Sequence, residues 1–207
     1  MARDPFVVVG GDAAGLSAAS KCRRESDREV IVFEKGQWIS YAHCGTPYFV
    51  EGSVERLTDL LSLSPAEAEE RGIDLRRGHE VVSVDAEDRT VTVRADGERF
   101  EQPYAELLVA TGASAAAGPF DRTLDGVFSL HGLDDAAAID AYLDAPEDYD
   151  PDRLGDGPVD RDRVDHNVAL EPPDRAAIVG GGYVGVEMAE ALSARGVDRS
   201  EEHTSEL

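Results

Sequence analysis

The sequence predicts an α/β protein with two Rossmann-like, doubly wound domains, the second incomplete. Three observations predict it. Residues 6–34 run through an apolar strand, a glycine turn, a small-residue helix, a second apolar strand and an acid. The strand-and-glycine pattern returns at residues 176–185. Between the two copies lie strand patterns at 80–84, 89–94, 98–102 and 107–110, enough to complete one open sheet with a three-stranded excursion.

Residues 6–9 are apolar and β-branched, as in a strand buried on both faces. Gly10 permits a tight turn after them, and Gly15 permits a helix to lie close to the strand. The helix, expected over 16–24, keeps Ala18 and Ala19 where the sheet must pass. Its N-terminus, led by Gly11, Asp12, Ala13 and Ala14, offers unpaired amides and partial positive charge to a pyrophosphate. Residues 30–33 form the second strand and deliver Glu34 about 20 residues past the glycines, where a dinucleotide site needs an acceptor for a ribose hydroxyl. Asp12 departs from the glycine pattern and is expected to crowd the phosphate unless it points away.

Composition narrows the setting. The formal net charge is −23, and of 20 basic residues only Lys21 and Lys35 are lysine. Such a surface disfavours nucleic-acid binding. It fits a cytoplasm of molar salt, where screening falls to about 3 Å and acidic self-repulsion is tolerated. No stretch approaches membrane length, and the start of the chain does not read as a leader. Two cysteines without a spacing pattern argue against a disulfide framework and fit a reducing cytoplasm. No metal site is expected.

Residues 37–50 follow the second strand directly and so begin near the first nucleotide site. Pro47 suits a first helical turn, which would put Cys44 near a helix N-terminus, a setting that favours the thiolate. On these residues alone a reactive thiol and a buried, inert cysteine both remain open. Residues 57–72 look helical, with Ser64, Pro65 and Glu67 as a start and Arg71-Gly72 as a stop. Asp96-Gly97 is a hairpin turn. Residues 143–174 are acidic and rich in Pro and Asp, without apolar period, and read as a disordered or loosely packed insertion. The second copy carries its glycines complete at Gly180, Gly182 and Gly185, with a helix over 186–194. The acid or arginine that would select NAD or NADP belongs about 20 residues later. Residues 199–207 instead break the pattern where a strand is due and resemble translated sequencing adapter. They are expected to be a non-native tail on a truncated gene.

These motifs resemble the pyridine nucleotide-disulfide oxidoreductases, and within them the single-cysteine branch of coenzyme A-disulfide reductases and NADH oxidases. The resemblance covers residues 5–142 and 175–198. It rests on the segments 9–15, 33–35, 39–48 (Ile-Ser-Tyr-Ala-His-Cys-Gly-Thr-Pro-Tyr), 110–113 and 179–185. It implies an FAD-binding domain over 1–117 and the start of an NAD(P)H-binding domain over 118–198. Gly10 to Gly15, Glu34 and Lys35 would hold the ADP half of FAD, with Val82 at the adenine and Ala110, Thr111 and Gly112 closing over the cofactor. Gly180, Gly182, Tyr183, Val184 and Gly185 would hold NAD(P)H.

Cys44 would be the redox thiol, and Phe49 stands where dithiol members carry a second cysteine. Ser17, Lys21, Arg24, Ser40, His43 and Arg71 match positions that contact coenzyme A, although His43 replaces an Asn and Arg71 a Lys. The implied reaction takes electrons from NAD(P)H through flavin to Cys44 and on to coenzyme A disulfide, a related disulfide or persulfide, or oxygen. A ferredoxin- or rubredoxin-type reductase without thiol chemistry is the rival enzyme, and a nucleotide-binding fragment without activity the rival outside catalysis. The full-length protein would be a homodimer, and the 207-residue chain alone inactive, aggregating and weak in FAD binding.

Overall fold

The structure is a computed structural model that describes residues 4–116, 120–121, 123–169 and 171–202. In chain order it forms β1 (Phe6–Val9), α1 (Ala13–Glu25), β2 (Val30–Glu34), α2 (Thr46–Glu51), α3 (Pro65–Glu70) and β3 (Ile73–Arg77). There follow β4 (Glu80–Asp85), β5 (Thr90–Ala95), β6 (Glu98–Pro103), β7 (Glu106–Val109), α4 (Leu133–Leu143), α5 (Arg161–His166), β8 (Arg175–Val179), α6 (Tyr183–Ala194) and β9 (Asp198–Glu202). Contacts divide the chain into two units, one of residues up to Tyr41 with Leu61–Ala113, the other of Ala42–Leu60 with the residues from Ser114 on. The segment bearing Cys44 thus packs in the second unit.

In the first unit a parallel sheet runs in the order β3-β2-β1-β7. Alternation of side chains decides which strand residues meet which layer. Val8, Val30 and Val32 join Leu16 and Ala19 of α1 in one apolar cluster. Val7, Ile31 and Phe33 point the other way, to Val91, Val93 and Tyr104 of the antiparallel sheet β4-β5-β6 and its exit. Because both faces are covered, β1 and β2 are continuously apolar. The turn between β5 and β6 is the expected one: Asp96 and Gly97 hold φ of +50° and +81°, the two-residue hairpin conformation that matches strand twist.

Two expectations need correction, and two elements were not anticipated. Residues 57–72 do not form one helix; Leu57–Leu60 make a 3₁₀ turn, and α3 starts afresh behind the Ser64 capping box. β3 was not expected, because a five-residue edge strand with one buried side chain shows little apolar pattern. α4 was also missed, since its run of alanines carries weak periodicity. The acidic insertion is not loosely packed: it holds a 3₁₀ turn at Pro151–Leu154 and helix α5. Leu154 and Val164 are 1% and 0% exposed, so sparse apolar residues anchor an otherwise polar segment.

In the second unit α2 packs against α4 and α6, and β8 pairs in parallel with β9 from Arg175↔Asp198 to Val179↔Glu202. Where the sequence expects the pattern to break at residue 199, the backbone continues as a strand to Glu202, since ladder pairing uses main-chain groups rather than side-chain identity. The rest of that tail, 203–207, lies outside the described residues.

Candidate functional site

The first unit builds a cradle at the carboxyl end of β1. Gly10 holds φ +109°, and a Cβ on it would stand 2.2 Å from the Ala110 carbonyl oxygen. Its amide donates to Phe33 O at 2.8 Å, and Ala110 N donates to Val9 O at 2.8 Å, so the turn is pinned to both neighbouring strands. α1 begins directly after it. Asp12 is the N-cap, but its side chain does not bond the first-turn amides, and its Oδ1 is buried. The amides of Ala13, Ala14 and Gly15 are left without a side-chain cap, as an anion site requires.

Glu34 closes the cradle. Gly11 N donates to Glu34 Oε2 and Gly36 N to Oε1, each at 2.7 Å. The carboxylate is thereby aimed while lone pairs remain for hydroxyl donors. A Cβ at Gly11 would stand 2.9 Å from Glu34 Cβ, which explains the small residue there. Lys35 and Gly36, with Gly78 and Glu80, line an open groove. Val82 is the extra residue of a bulge: Val81 pairs Val93 and Ser83 pairs Thr92, leaving Val82 between them, half-exposed. Thr111 and Gly112 are exposed beyond β7, with Gly112 at φ +65°. These features fit an adenine dinucleotide, which needs a close phosphate approach, a ribose acceptor and exposed backbone beside the base.

Four of the six residues matched to coenzyme A contacts lie on or against α1. Ser17, Lys21 and Arg24 are exposed and fall at helical spacing on one stripe of α1. Lys21 pairs with Glu25 at 2.8 Å. Arg71, just past α3, donates to Ser20 Oγ at 3.4 Å, so it sits against the same helix. Ser40 holds φ +37°, a strained value for a residue with a Cβ, and its carbonyl accepts from Ser62 N at 2.7 Å.

His43 and Cys44 lie in the second unit, in a 3₁₀ turn at His43–Gly45 that runs into α2. Both are exposed, and Cys44 is a free thiol. The turn is tied by Ala42 N to Leu60 O and Gly45 N to Ala42 O, both 2.8 Å, and by Thr46 Oγ1 to His43 O at 2.9 Å. Phe49 is fully buried. The other cysteine, Cys22, packs partly buried against the α1 side of the sheet.

The same unit carries the second glycine turn. Gly180 holds φ +116°, Gly182 caps α6 with extended backbone, and a Cβ on Gly185 would stand 2.0 Å from Gly180 O. No atom lies within 4 Å of a Cβ at Gly182, so the approach there is open. Tyr183 and Val184, at the start of α6, are exposed. Among the described residues no group of three or more His, Cys, Asp or Glu is set to hold a metal, and no helix is long and apolar enough to cross a membrane.

Sequence reasoning missed a buried ionic cluster in this unit. Asp140 of α4 is 1% exposed and accepts from Arg153 Nη1 at 2.6 Å and Arg195 Nη1 at 2.9 Å. Burial pushes its carboxyl up, against the pull of the two guanidiniums. The available clue was a lone acid in the alanine-rich face Ala136–Ala141, where a charge is costly unless paired.

Two dinucleotide cradles in one chain, with an exposed thiol between them in sequence, define a class of two-nucleotide redox protein. The chain belongs to the pyridine nucleotide-disulphide oxidoreductase family, whose model matches residues 4–206. It is 34% identical over 205 residues to a coenzyme A disulfide reductase of Staphylococcus haemolyticus, covering 97% of this chain and 40% of that protein. It is 38% identical over 194 residues to an NAD(P)H coenzyme A polysulfide/persulfide reductase of Pyrococcus horikoshii, covering 92% of this chain and 37% of that protein. Among solved structures, the reduced CoADR-RHD of Bacillus anthracis matches with a TM-score of 0.78 and 28% identity, over 97% of this chain and 33% of that one. The chain therefore spans about two fifths of the curated relatives it matches.

Proposed function

We propose that the chain is part of an FAD-dependent NAD(P)H oxidoreductase that delivers electrons through the single thiol of Cys44 to a small disulfide or persulfide of the coenzyme A type. The observation that carries this reading is the exposed free thiol of Cys44, in a turn tied at both ends, within a chain that holds two glycine cradles. The acceptors of the two relatives, coenzyme A disulfide and a coenzyme A polysulfide or persulfide, support the acceptor class.

In this reading the Gly10–Gly15 turn, Glu34 and the Val82 bulge hold FAD, and the Gly180–Gly185 turn with Tyr183 and Val184 holds NAD(P)H. Bound FAD supplies two-electron chemistry between a nicotinamide and sulfur. Cys44 acts as the thiolate: it attacks one sulfur of the acceptor disulfide, forms a mixed disulfide and releases the other half as a thiolate. Two electrons and a proton then return Cys44 to its thiolate and free the second thiol. Ser17, Lys21, Arg24 and Arg71 offer a partly basic stripe to phosphate groups of the acceptor, with Ser40 and His43 as further contacts.

The test is Cys44→Ser in the full-length protein, assayed for NAD(P)H-dependent reduction of coenzyme A disulfide with FAD content checked by absorbance. Loss of about a thousandfold or more is expected for removal of an essential nucleophile. Unchanged disulfide turnover would exclude the thiol and favour a reductase that needs none.

A further inference from the structure

α2 is only six residues long, too short to hold its own position, so its neighbours decide where it stands. Its C-terminal carbonyls are taken by two guanidiniums from far along the chain. Arg153 Nη2 donates to Phe49 O at 2.6 Å, and its Cζ lies 4.6 Å from the centroid of the buried Phe49 ring. Arg195 Nη1 donates to Val50 O at 2.8 Å. The two are bridged by Asp140, and Arg195 Nη2 reaches Asp144 Oδ1 at 2.6 Å. Gly52, at φ +102°, adds its amide to the same end, to Phe49 O and Tyr48 O.

Cations at a helix C-terminus complement the exposed carbonyls. Here they are also largely desolvated, with side chains 19% and 17% exposed, and share one buried carboxylate. Such a cluster gains little net stability over apolar packing, but it fixes the geometry of what it touches. What it touches is the helix whose entry turn carries Cys44. Arg153 comes from the acidic insertion and Arg195 is the C-cap of α6, the helix whose N-terminus carries the second glycine turn.

We propose that Arg153 and Arg195, oriented by Asp140, are positioning residues for Cys44, and that the acidic insertion supplies one of them. The proposal rests on the reading of Cys44 as the redox thiol. Arg153 acts on the reaction only through α2, by holding its C-terminal end so that the His43–Gly45 turn presents the thiol at one orientation. A lysine at 153 has a single ammonium on a shorter reach and satisfies Asp140 or Phe49 O, not both in the guanidinium's planar fork.

The experiment compares Arg153→Met, Arg153→Lys and Cys44→Ser in the full-length FAD-loaded protein. Two rates are read: NAD(P)H-dependent reduction of coenzyme A disulfide, and reduction of ferricyanide, which needs no thiol. Alkylation of Cys44 by iodoacetamide after NAD(P)H reduction, followed by peptide mass spectrometry, gives a readout independent of turnover. Arg153→Met is expected to lower kcat for the disulfide about tenfold or more with KM for NAD(P)H and the ferricyanide rate unchanged. It is also expected to change the Cys44 alkylation rate, and Arg153→Lys should fall between it and the parent. If Arg153→Met lowers both rates in parallel with FAD content, the cluster merely supports folding and the proposal is overturned. Parent-like disulfide turnover and alkylation in a folded Arg153→Met protein would also overturn it. Failure of the Cys44 reading shows separately, as disulfide turnover that survives Cys44→Ser.

Discussion

Gly15 passes so close to Gly10 that a Cβ on it would stand 1.8 Å from the Gly10 carbonyl oxygen. Gly185 stands in the same relation to Gly180, at 2.0 Å. The obstacle is backbone in both turns, so a methyl group forces the helix off the strand. Gly15→Ala is expected to cost about 1–3 kcal/mol or more through overpacking, and to lower FAD retention. Urea unfolding and flavin absorbance after gel filtration check it; parent-like values in both would show that α1 can yield.

Glu34 accepts from the amides of Gly11 and Gly36, so its carboxylate is oriented before any ligand arrives. Glu34→Gln keeps the shape but turns one acceptor into a donor facing a donor. Hydrogen bonds to a charged group contribute about 1.5–3 kcal/mol, so FAD affinity is expected to fall about tenfold to a hundredfold. Fluorescence titration of the apoprotein with FAD measures this, and an unchanged dissociation constant would remove Glu34 from the site.

Leu154 is buried at the end of the 3₁₀ turn in the acidic insertion. Leu154→Ala is expected to destabilise the second unit by about 2–5 kcal/mol, the usual range for a buried leucine. A loose loop would register less than about 0.5 kcal/mol in the same thermal or urea experiment.

Ser64 Oγ accepts from Glu67 N at 3.2 Å while Glu67 Oε2 accepts from Ser64 N at 2.8 Å. Ser64→Ala is expected to cost about 1 kcal/mol, read as a lower unfolding midpoint with FAD binding intact. The Ser64 backbone and hydroxyl bonds hold the Glu67 carboxyl below the usual range. Its contribution is therefore present above the ordinary glutamate value and fades as pH falls through the lower folded value. The gap between parent and Ser64→Ala should narrow in acid; a gap that stays constant as the Glu67 carboxylate protonates would show that the Ser64 hydroxyl lends that carboxylate no support.

Much of the fold was legible because its determinants are local. Phe6–Val9 and Val30–Glu34 must be apolar to be buried on both faces, and Asp96-Gly97 must tolerate positive φ, so residue type alone marks them. β3 escaped because an edge strand takes its place from pairing with β2, which needs backbone and not side-chain pattern. Val82 was placed at the adenine by resemblance, but the bulge that frees its backbone is a register shift against β5, invisible in one strand read alone.

The two glycine turns and the acid at 34 can be read from residue order alone, since each answers a steric or hydrogen-bonding demand met within a few residues of chain. The packing of the insertion, and the convergence of Arg153 and Arg195 through Asp140 on the carbonyls of α2, come from long-range contacts. Those partners lie far apart in sequence, up to 145 residues, and the cost of burying their charges is met only when all three side chains arrive together.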